Sequence, residues 1–231
     1  MYKRQILDRV TAIGFSPDGT LVATGSGEPS RSGELKLWKV ADGSLAKEIK
    51  DPHSDSIYDV EFSPDGQSIA TCGADRFMKV FNVSTGQLHR SYEGHTHHVL
   101  GVAWRADGRL LASSGADNVV KVWNFLTGDQ VRTITGFNKE VTSITFAGDD
   151  NAVVASSGDR SVQMKNAENG GNIRNFGGAQ DFVYSVDTSA DGKTIVAGTA
   201  DGVVFVWNEQ GQPVATFAPP KPEPTDATAL K

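Results

Sequence analysis

Cysteine, excess basic charge and long apolar runs are all in short supply in this chain, and each shortage excludes a class of protein. The single cysteine, Cys72, excludes an internal disulfide framework and a C-x-x-C-H haem attachment within the 231 residues, and its apolar neighbours indicate a buried, inert thiol. The net charge of −6 disfavours nucleic acid and anionic membranes as partners, because both require a basic surface. No apolar run approaches the ~18 residues of a spanning helix, so membrane insertion is not expected.

What the chain does contain is a repeat. An Asp-Gly pair recurs at Asp18, Asp65, Asp107 and Asp191, and a degenerate Gly148-Asp149-Asp150 fills the gap, so that successive aspartates are 47, 42, 42 and 42 residues apart. Sixteen residues after the aspartate comes an aromatic residue or lysine followed by Asn; in the first unit Trp38 comes after twenty. The extra residues of the first unit fall mainly in "GSGEPSRSGE", which predicts a longer loop there. The Asp-Gly pairs themselves predict hairpin turns.

Between these markers the sequence alternates as strands do. In the second unit, "SIYDVEF", "QSIATCG", "FMKVFNV" and "QLHRSYEG" predict four short strands, here called a to d. A four-stranded unit of this size cannot bury both of its faces alone, so neighbouring units must stack. For antiparallel repeats of about 40 to 45 residues, the arrangement that achieves this is a propeller. The predicted fold is therefore all-β, with five four-stranded blades at about 6–50, 51–92, 93–134, 135–176 and 177–218.

The units resemble WD40 repeats. Gly94-His95 matches the "GH" marker of that family, and Trp123-Asn124, Phe81-Asn82 and Trp207-Asn208 stand where the family has Trp-Asp. The resemblance covers Ile6 to about Pro219. More narrowly, "GSGEPSRSGELKLW", "GHTHHVLGVAW" and "FNKEVTSITF" resemble the C-terminal propeller of planctomycete-type bacterial proteins with a cytochrome c-like segment upstream, which implies a periplasmic location. The sequence itself identifies no compartment.

The resemblance implies a structural hydrogen-bonded tetrad, complete only in the third unit: a His before strand a, a Ser or Thr on strand b, an Asp in the b–c turn and a Trp on strand c. In the third unit these residues are His95, Ser113, Asp117 and Trp123. The second unit keeps a partial set, His53, Thr71 and Asp75, with Phe81 in place of Trp. The physical basis is that a buried indole N–H and a buried carboxylate both need partners.

Chemical alternatives are weaker. A metal site from His95, His97 and His98 is disfavoured, because neighbouring residues on an extended chain point apart and no cysteine or carboxylate pair completes a tetrahedral set. No G-x-S-x-G motif occurs, and Gly25-Ser26-Gly27 lacks the third glycine of a dinucleotide site. A propeller hydrolase would need several inward-facing carboxylates or histidines, which the sequence does not assemble. We therefore expect no enzyme activity, no metal and no cofactor.

The resemblance also places partner binding on the rim where the d–a loops and b–c turns emerge. The residues flanking the first Val or Ile of strand a face that rim, and the set includes aromatic residues of the kind enriched at interface cores. The alternative is that these rings merely cover the central channel. The predicted partner-binding residues are Arg9, Tyr58, His98, Leu100, Glu140, Phe182 and Tyr184.

The two ends of the chain carry separate expectations. Met1 to Gln5 resembles the translated end of a sequencing-library transposon adapter, so natural sequence is expected to begin at Ile6. The five blades are expected to be part of a larger ring of about seven. Residues 219–231 form a Pro-rich tail expected to leave the propeller. The predicted function is a non-catalytic scaffold or protein-interaction module with one or more protein partners; the alternative is an accessory propeller domain of a cytochrome c-like redox protein.

Overall fold

The computed structural model describes residues 9–148 and 151–220 of the chain. Within these ranges it is all-β, with twenty strands in five four-stranded antiparallel sheets whose strands follow chain order. The described ranges hold no helix, and so none that could span a membrane. The predicted series of five four-stranded blades is confirmed. The expectations for residues 1–5, for Ile6 and for most of the Pro-rich tail lie outside the described residues.

The strand bounds repeat from blade to blade. Blade 1 holds β1 (Val10–Phe15), β2 (Leu21–Glu28), β3 (Ser32–Lys39) and β4 (Leu45–Ile49). Blade 2 holds β5 (Ile57–Phe62), β6 (Ser68–Gly73), β7 (Met78–Asn82) and β8 (Leu88–Tyr92). Blade 3 holds β9 (Val99–Trp104), β10 (Leu110–Gly115), β11 (Val120–Asn124) and β12 (Gln130–Ile134). Blade 4 holds β13 (Val141–Phe146), β14 (Ala152–Ser157), β15 (Val162–Asn166) and β16 (Asn172–Phe176). Blade 5 holds β17 (Val183–Thr188), β18 (Thr194–Thr199), β19 (Val204–Asn208) and β20 (Pro213–Phe217).

The repeated Asp-Gly pairs form the a–b turns, as predicted. In blade 1, Asp18 Oδ1 accepts hydrogen bonds from Ser16 Oγ at 2.6 Å and from the Thr20 N–H at 3.0 Å. Gly19 donates its N–H to the Ser16 carbonyl and has φ of 68°. Only a residue without Cβ adopts this left-handed conformation without strain, which explains the glycine after each aspartate.

Blades stack through two different faces. The leading face of each blade contacts the preceding blade and carries the apolar residues of strand a, which in blade 2 are Ile57, Val60 and Phe62. The trailing face contacts the following blade and carries the first residue of strand c and the last of strand d, for example Met78 and Tyr92. The packed order of the a strands is β1, β5, β9, β13, β17, so these strands form the inner ring of the assembly.

The two outermost faces of this series are exposed. On the leading face of blade 1, Ile13 and Phe15 are 65% and 63% exposed, whereas their equivalents Val60 and Phe62 are 3% and 5% exposed. On the trailing face of blade 5, Phe217 is 61% exposed. Packing of a further blade against each of these faces would bury their apolar side chains. That the arc belongs to a ring of about seven blades stays a prediction.

The prediction of a long loop in blade 1 is wrong, because these residues form an extended hairpin. Strand β2 continues to Glu28 and strand β3 begins at Ser32, so only a three-residue turn connects them. The hairpin lies on the following blade, where Gly33 N–H donates to the His53 carbonyl at 2.8 Å and Ser30 N–H donates to Asp55 Oδ1 at 2.8 Å. The sequence reads as a loop because its glycines and serines have low strand propensity; contact with blade 2 overrides that propensity.

Candidate functional site

The tetrad residues of blade 3 meet in one chain of hydrogen bonds. His95 Nδ1 lies 2.9 Å from Asp117 Oδ1, His95 Nε2 lies 2.8 Å from Ser113 Oγ, and Trp123 Nε1 donates to Ser113 Oγ at 3.0 Å. Asp117 also accepts the Thr96 N–H at 2.9 Å. The chain ties the d–a loop to strand b, the b–c turn and strand c.

The direction of the hydrogen bond at each end of this tetrad follows from its end group: one is a carboxylate that only accepts, and the other is an indole N–H that only donates. His95 Nδ1–H therefore donates to Asp117, and the Ser113 hydroxyl, which accepts from the Trp123 indole, connects that indole to His95 Nε2. Burial disfavours ionisation of Asp117, but the hydrogen bonds from His95 and from the Thr96 N–H outweigh burial and hold its pKa below the usual value. The carboxylate is therefore ionised at neutral pH.

The same contacts resemble those of a Ser-His-Asp hydrolase triad, in which a histidine bridges a carboxylate and a serine hydroxyl. Here the serine cannot act as a nucleophile. Ser113 is 0% exposed, and its oxygen is already occupied by the indole N–H of Trp123. A substrate carbonyl could not reach it, so the chemistry of this cluster is structural.

Blade 2 brings its partial tetrad together in the same way. His53 Nδ1 lies 2.8 Å from Asp75 Oδ1, and His53 Nε2 lies 2.8 Å from Thr71 Oγ1. Burial lowers the pKa of His53, against the opposing effect of the Asp75 carboxylate, so the ring is neutral at pH 7. Phe81 takes the place of the indole; it packs in the core but donates no hydrogen bond.

Blade 1 keeps the contact between strands b and c of the tetrad, since Trp38 Nε1 donates to Thr24 Oγ1 at 2.8 Å. Blades 4 and 5 use substitutes that the sequence did not indicate. In blade 5, where alanine replaces the strand-b serine, Trp207 Nε1 donates to the Gly177 carbonyl at 3.0 Å. In blade 4, Lys165 extends over the ring of Phe137, with Nζ 5.8 Å from the ring centre. The indole of Trp207 and the ammonium group of Lys165 thus each have a partner that differs from that of the tetrad.

The histidine run does not form a metal-ligand cluster. His95 is engaged in the tetrad, and the rings of His97 and His98 lie 4.4 Å apart on the rim. In residues 9–148 and 151–220 no group of three or more His, Cys, Asp and Glu side chains is arranged to hold a metal.

A cavity of about 550 Å³ opens on the rim between the strand-a ends of blades 2 to 5. We call it the central pocket. Its eight lining residues come from blades 2 to 5 and are Tyr58, His97, Leu100, Ala116, Glu140, Thr142, Phe182 and Tyr184.

Five of the seven rim residues predicted from the sequence line this pocket. The two others do not. Arg9 is exposed outside it, and His98 lies beside it, with its ring 5.9 Å from that of Tyr58. His97 lines the pocket in place of His98. An alternation rule alone could not separate these neighbouring histidines, because both follow the irregular d–a loop.

Backbone hydrogen bonds fix the pocket walls. The N–H of Gly158, in the b–c turn, donates to the Glu140 carbonyl at 3.0 Å, and Ala200 N–H donates to the Phe182 carbonyl at 2.8 Å. A Cβ on Gly158 would lie 2.5 Å from the Phe182 ring and 3.1 Å from the Glu140 carboxyl carbon. Glycine at this position therefore allows the Phe182 ring and the Glu140 carboxyl group to lie side by side.

A pair of carboxylates lies deeper, on the trailing face of β5. Asp59 Oδ2 accepts the Val102 N–H at 3.0 Å, and Glu61 Oε2 accepts the Trp104 N–H at 2.9 Å, so both bond to the inner edge of blade 3. Sequence analysis missed this pair. Its signal is the i, i+2 spacing in "IYDVEF", which directs both side chains to one side of the strand.

Burial raises the pKa of Asp59 to about 6 and, with the nearby Asp59 charge, the pKa of Glu61 to about 8. The folded state therefore holds more protons than the unfolded state between about pH 4 and pH 8. For this reason the two carboxyl groups do not lower the stability of the fold at low pH, where they are protonated, and they lower it progressively as pH rises and they ionise. With these two pKa values we expect the free energy of unfolding to fall by about 5 kcal/mol from pH 5 to pH 9. In an Asp59→Asn/Glu61→Gln variant the fall should be much smaller.

Urea denaturation at pH 5, 7 and 9 measures this difference. Each amide keeps one acceptor oxygen and removes the titration; at Asp59 it also removes one of the two acceptors of the Val60 and Val102 N–H groups, a cost that does not vary with pH. Parallel pH profiles for the two proteins would contradict the assignment.

The repeat profile described as "WD domain, G-beta repeat" matches residues 5–39, 45–82, 86–124, 128–164 and 170–208. Apoptotic protease-activating factor 1 of Homo sapiens is 46% identical over 44 residues, 19% of this chain and 4% of that protein. Nuclear distribution protein PAC1 of Coccidioides posadasii is 33% identical over 92 residues, 38% of this chain and 19% of that protein. Striatin-3 of Rattus norvegicus is 36% identical over 78 residues, 32% of this chain and 9% of that protein. The match thus spans under a fifth of each relative.

Proposed function

The chain belongs to the WD40 repeat family, and from that premise we propose that it is a non-catalytic protein-interaction module that binds its partner through the central pocket. WD40 repeats generally act as scaffolds for protein–protein interaction. The observation that carries the proposal is the convergence of aromatic and aliphatic side chains from four blades on one rim cavity. A partner segment docking there would contact several blades at once.

The geometry of the rim supports a preformed site. Phe182 and Tyr184 pack together with ring centres 4.8 Å apart, and backbone hydrogen bonds hold the adjoining turns. Tyr184 is nevertheless 61% exposed, so it offers apolar area that a partner can bury. Aromatic anchors that need little reordering lose little conformational entropy on binding. The net charge of −6 supports a protein rather than a nucleic acid or a membrane surface as the partner.

Peptide phage display on the immobilised protein tests the proposal. We expect selected peptides to lose most of their affinity, about tenfold or more, for a Tyr58→Ser/Tyr184→Ser variant. They should bind a Leu126→Ser variant normally, because Leu126 is an exposed apolar residue in a c–d turn on the opposite rim. Selected peptides that bind the Tyr58→Ser/Tyr184→Ser variant as well as they bind the parent protein would place the interaction elsewhere and overturn the proposal.

A second candidate is an accessory propeller domain of a larger redox protein with a cytochrome c-like segment. The observation that favours it is the resemblance of "GSGEPSRSGELKLW", which forms the long hairpin of β2 and β3, to that class of protein. A C-x-x-C-H motif in the same reading frame of the full-length gene would favour this candidate; an extended frame without one would remove it.

A further inference from the structure

We infer that the central pocket holds one basic side chain of the partner protein, a lysine or an arginine, with Glu140 as its counter-ion and the rings of Tyr58, Phe182 and Tyr184 around it. The inference rests on the proposed function and specifies the chemistry of the partner. It also assigns Glu140 a role that the scaffold fold does not require.

Charge is the first argument. Glu140 is the only carboxylate among the lining residues of the pocket. Its side chain makes no hydrogen bond or ion pair with any other described residue, whereas the carboxylates of Asp117 and Asp75 are both paired. The rim cations Lys139 and Arg160 line a neighbouring cavity that shares Phe182 with the central pocket, but among the described residues neither forms an ion pair with Glu140. A carboxylate held beside apolar walls without a paired cation favours a ligand that supplies one.

The aromatic walls supply the second argument. The face of a tyrosine or phenylalanine ring carries partial negative charge, so rings within about 6 Å attract a cation as well as apolar atoms. The tilted pair of Phe182 and Tyr184 and, across the cavity, Tyr58 present such rings. Partial burial and the Asp55 carboxylate raise the pKa of Tyr58, so its phenol is neutral at pH 7 and its ring acts only through its face.

The pocket has room for one long side chain together with neighbouring parts of a partner segment. Its volume of about 550 Å³ falls in the range of roughly 300–1,000 Å³ typical of small-molecule sites. Leu100 and the rings can cover an aliphatic stem, and Glu140 can meet the charged head, as basic side chains prefer. Gly158 keeps the carboxyl group beside the Phe182 ring, so both contacts are available to one cation.

An apolar anchor is the competing occupant, and isothermal titration calorimetry distinguishes the two. The probes are Nα-acetyl-arginine amide with its neutral isostere Nα-acetyl-citrulline amide, and Nα-acetyl-lysine amide with Nα,Nε-diacetyl-lysine amide. We expect the charged probe of at least one pair to bind about tenfold more tightly than its neutral counterpart, with an affinity that falls as salt is added. Glu140→Gln should remove this preference. Glu48→Gln, the same change at an exposed site on β4, should retain it.

Peptides selected by phage display provide the second measurement, with each Lys and Arg replaced in turn by norleucine or citrulline. Loss of affinity on one such replacement, matched by Glu140→Gln, supports the inference. Peptides that require Tyr58 and Tyr184 but tolerate every replacement would overturn it while leaving the proposed function intact. Peptides indifferent to Tyr58 and Tyr184 would overturn both.

Discussion

Replacing Phe176 by alanine is expected to lower the free energy of unfolding by about 3–5 kcal/mol, whereas the same change at Phe217 should cost less than about 0.5 kcal/mol. The two residues are equivalent: each ends strand d of its blade and pairs with the first residue of strand c, Val162 or Val204. Phe176 is 3% exposed and packs against Trp207 of the next blade, with ring centres 5.6 Å apart. Phe217 projects from the trailing face of blade 5, which no described blade covers.

Urea denaturation of the two variants and the parent protein measures both costs. Because the substitution is identical, the difference between the variants reports burial at the two sites. Equal costs would mean that the trailing face of blade 5 is covered in solution, by ring closure or by another copy of the chain. The comparison therefore also tests the expectation that these blades are one arc of a larger ring.

The blades could be predicted from sequence because their determinants are local. Alternation of apolar residues predicts strands, and an Asp-Gly pair predicts the turn that Gly19 forms at positive φ. The tetrad residues of blade 3 are likewise read at fixed offsets within one repeat. The contact between Ser113 and Trp123 follows from antiparallel pairing. Ser113 lies opposite Lys121 and Leu111 opposite Trp123, so Ser113 and Trp123 are diagonal neighbours on one face of the sheet.

Contacts between blades, and hydrogen bonds to backbone groups that every residue has, could not be predicted from the sequence. The carboxylates of Asp59 and Glu61 bond to backbone N–H groups of the next blade, and nothing in their own strand identifies those donors. Trp207 bonds to a backbone carbonyl, which every residue possesses. The central pocket depends on how four blades converge, so the sequence indicated most of its residues but not the substitution of His97 for His98.

The tetrads and the central pocket are expected to have different roles, stability and binding respectively. The tetrads of blades 2 and 3 connect loops to strands beneath the rim, and the pocket residues lie on the same strand-a ends and turns that those contacts hold. Loosening a tetrad should therefore affect stability first and binding indirectly, while changes at Glu140 or Tyr184 should affect binding with little effect on stability.

Asp117→Ala and Trp123→Ala are each expected to destabilise the fold by about 2–5 kcal/mol. Trp123→Ala leaves a cavity in the core between blades 2 and 3, where the indole is 5.5 Å from the Tyr92 ring. Asp117→Ala instead leaves His95 Nδ1–H and the Thr96 N–H without their acceptor. The two residues do not touch through a hydrogen bond of their own; His95 and Ser113 connect them.

If the four side chains act as one network, the two effects are not additive, because the first substitution already loosens the histidine and serine that the second would disturb. The double variant should then be more stable than the sum of the single costs implies, by at least about 0.5 kcal/mol. Urea denaturation of the four proteins closes the cycle. Asp201→Ala paired with Trp123→Ala is the control, since Asp201 accepts hydrogen bonds from Thr199 and the Val203 N–H within blade 5, two blades away, and should give additive effects. Additivity in both cycles would mean that the tetrad of blade 3 is a set of independent contacts.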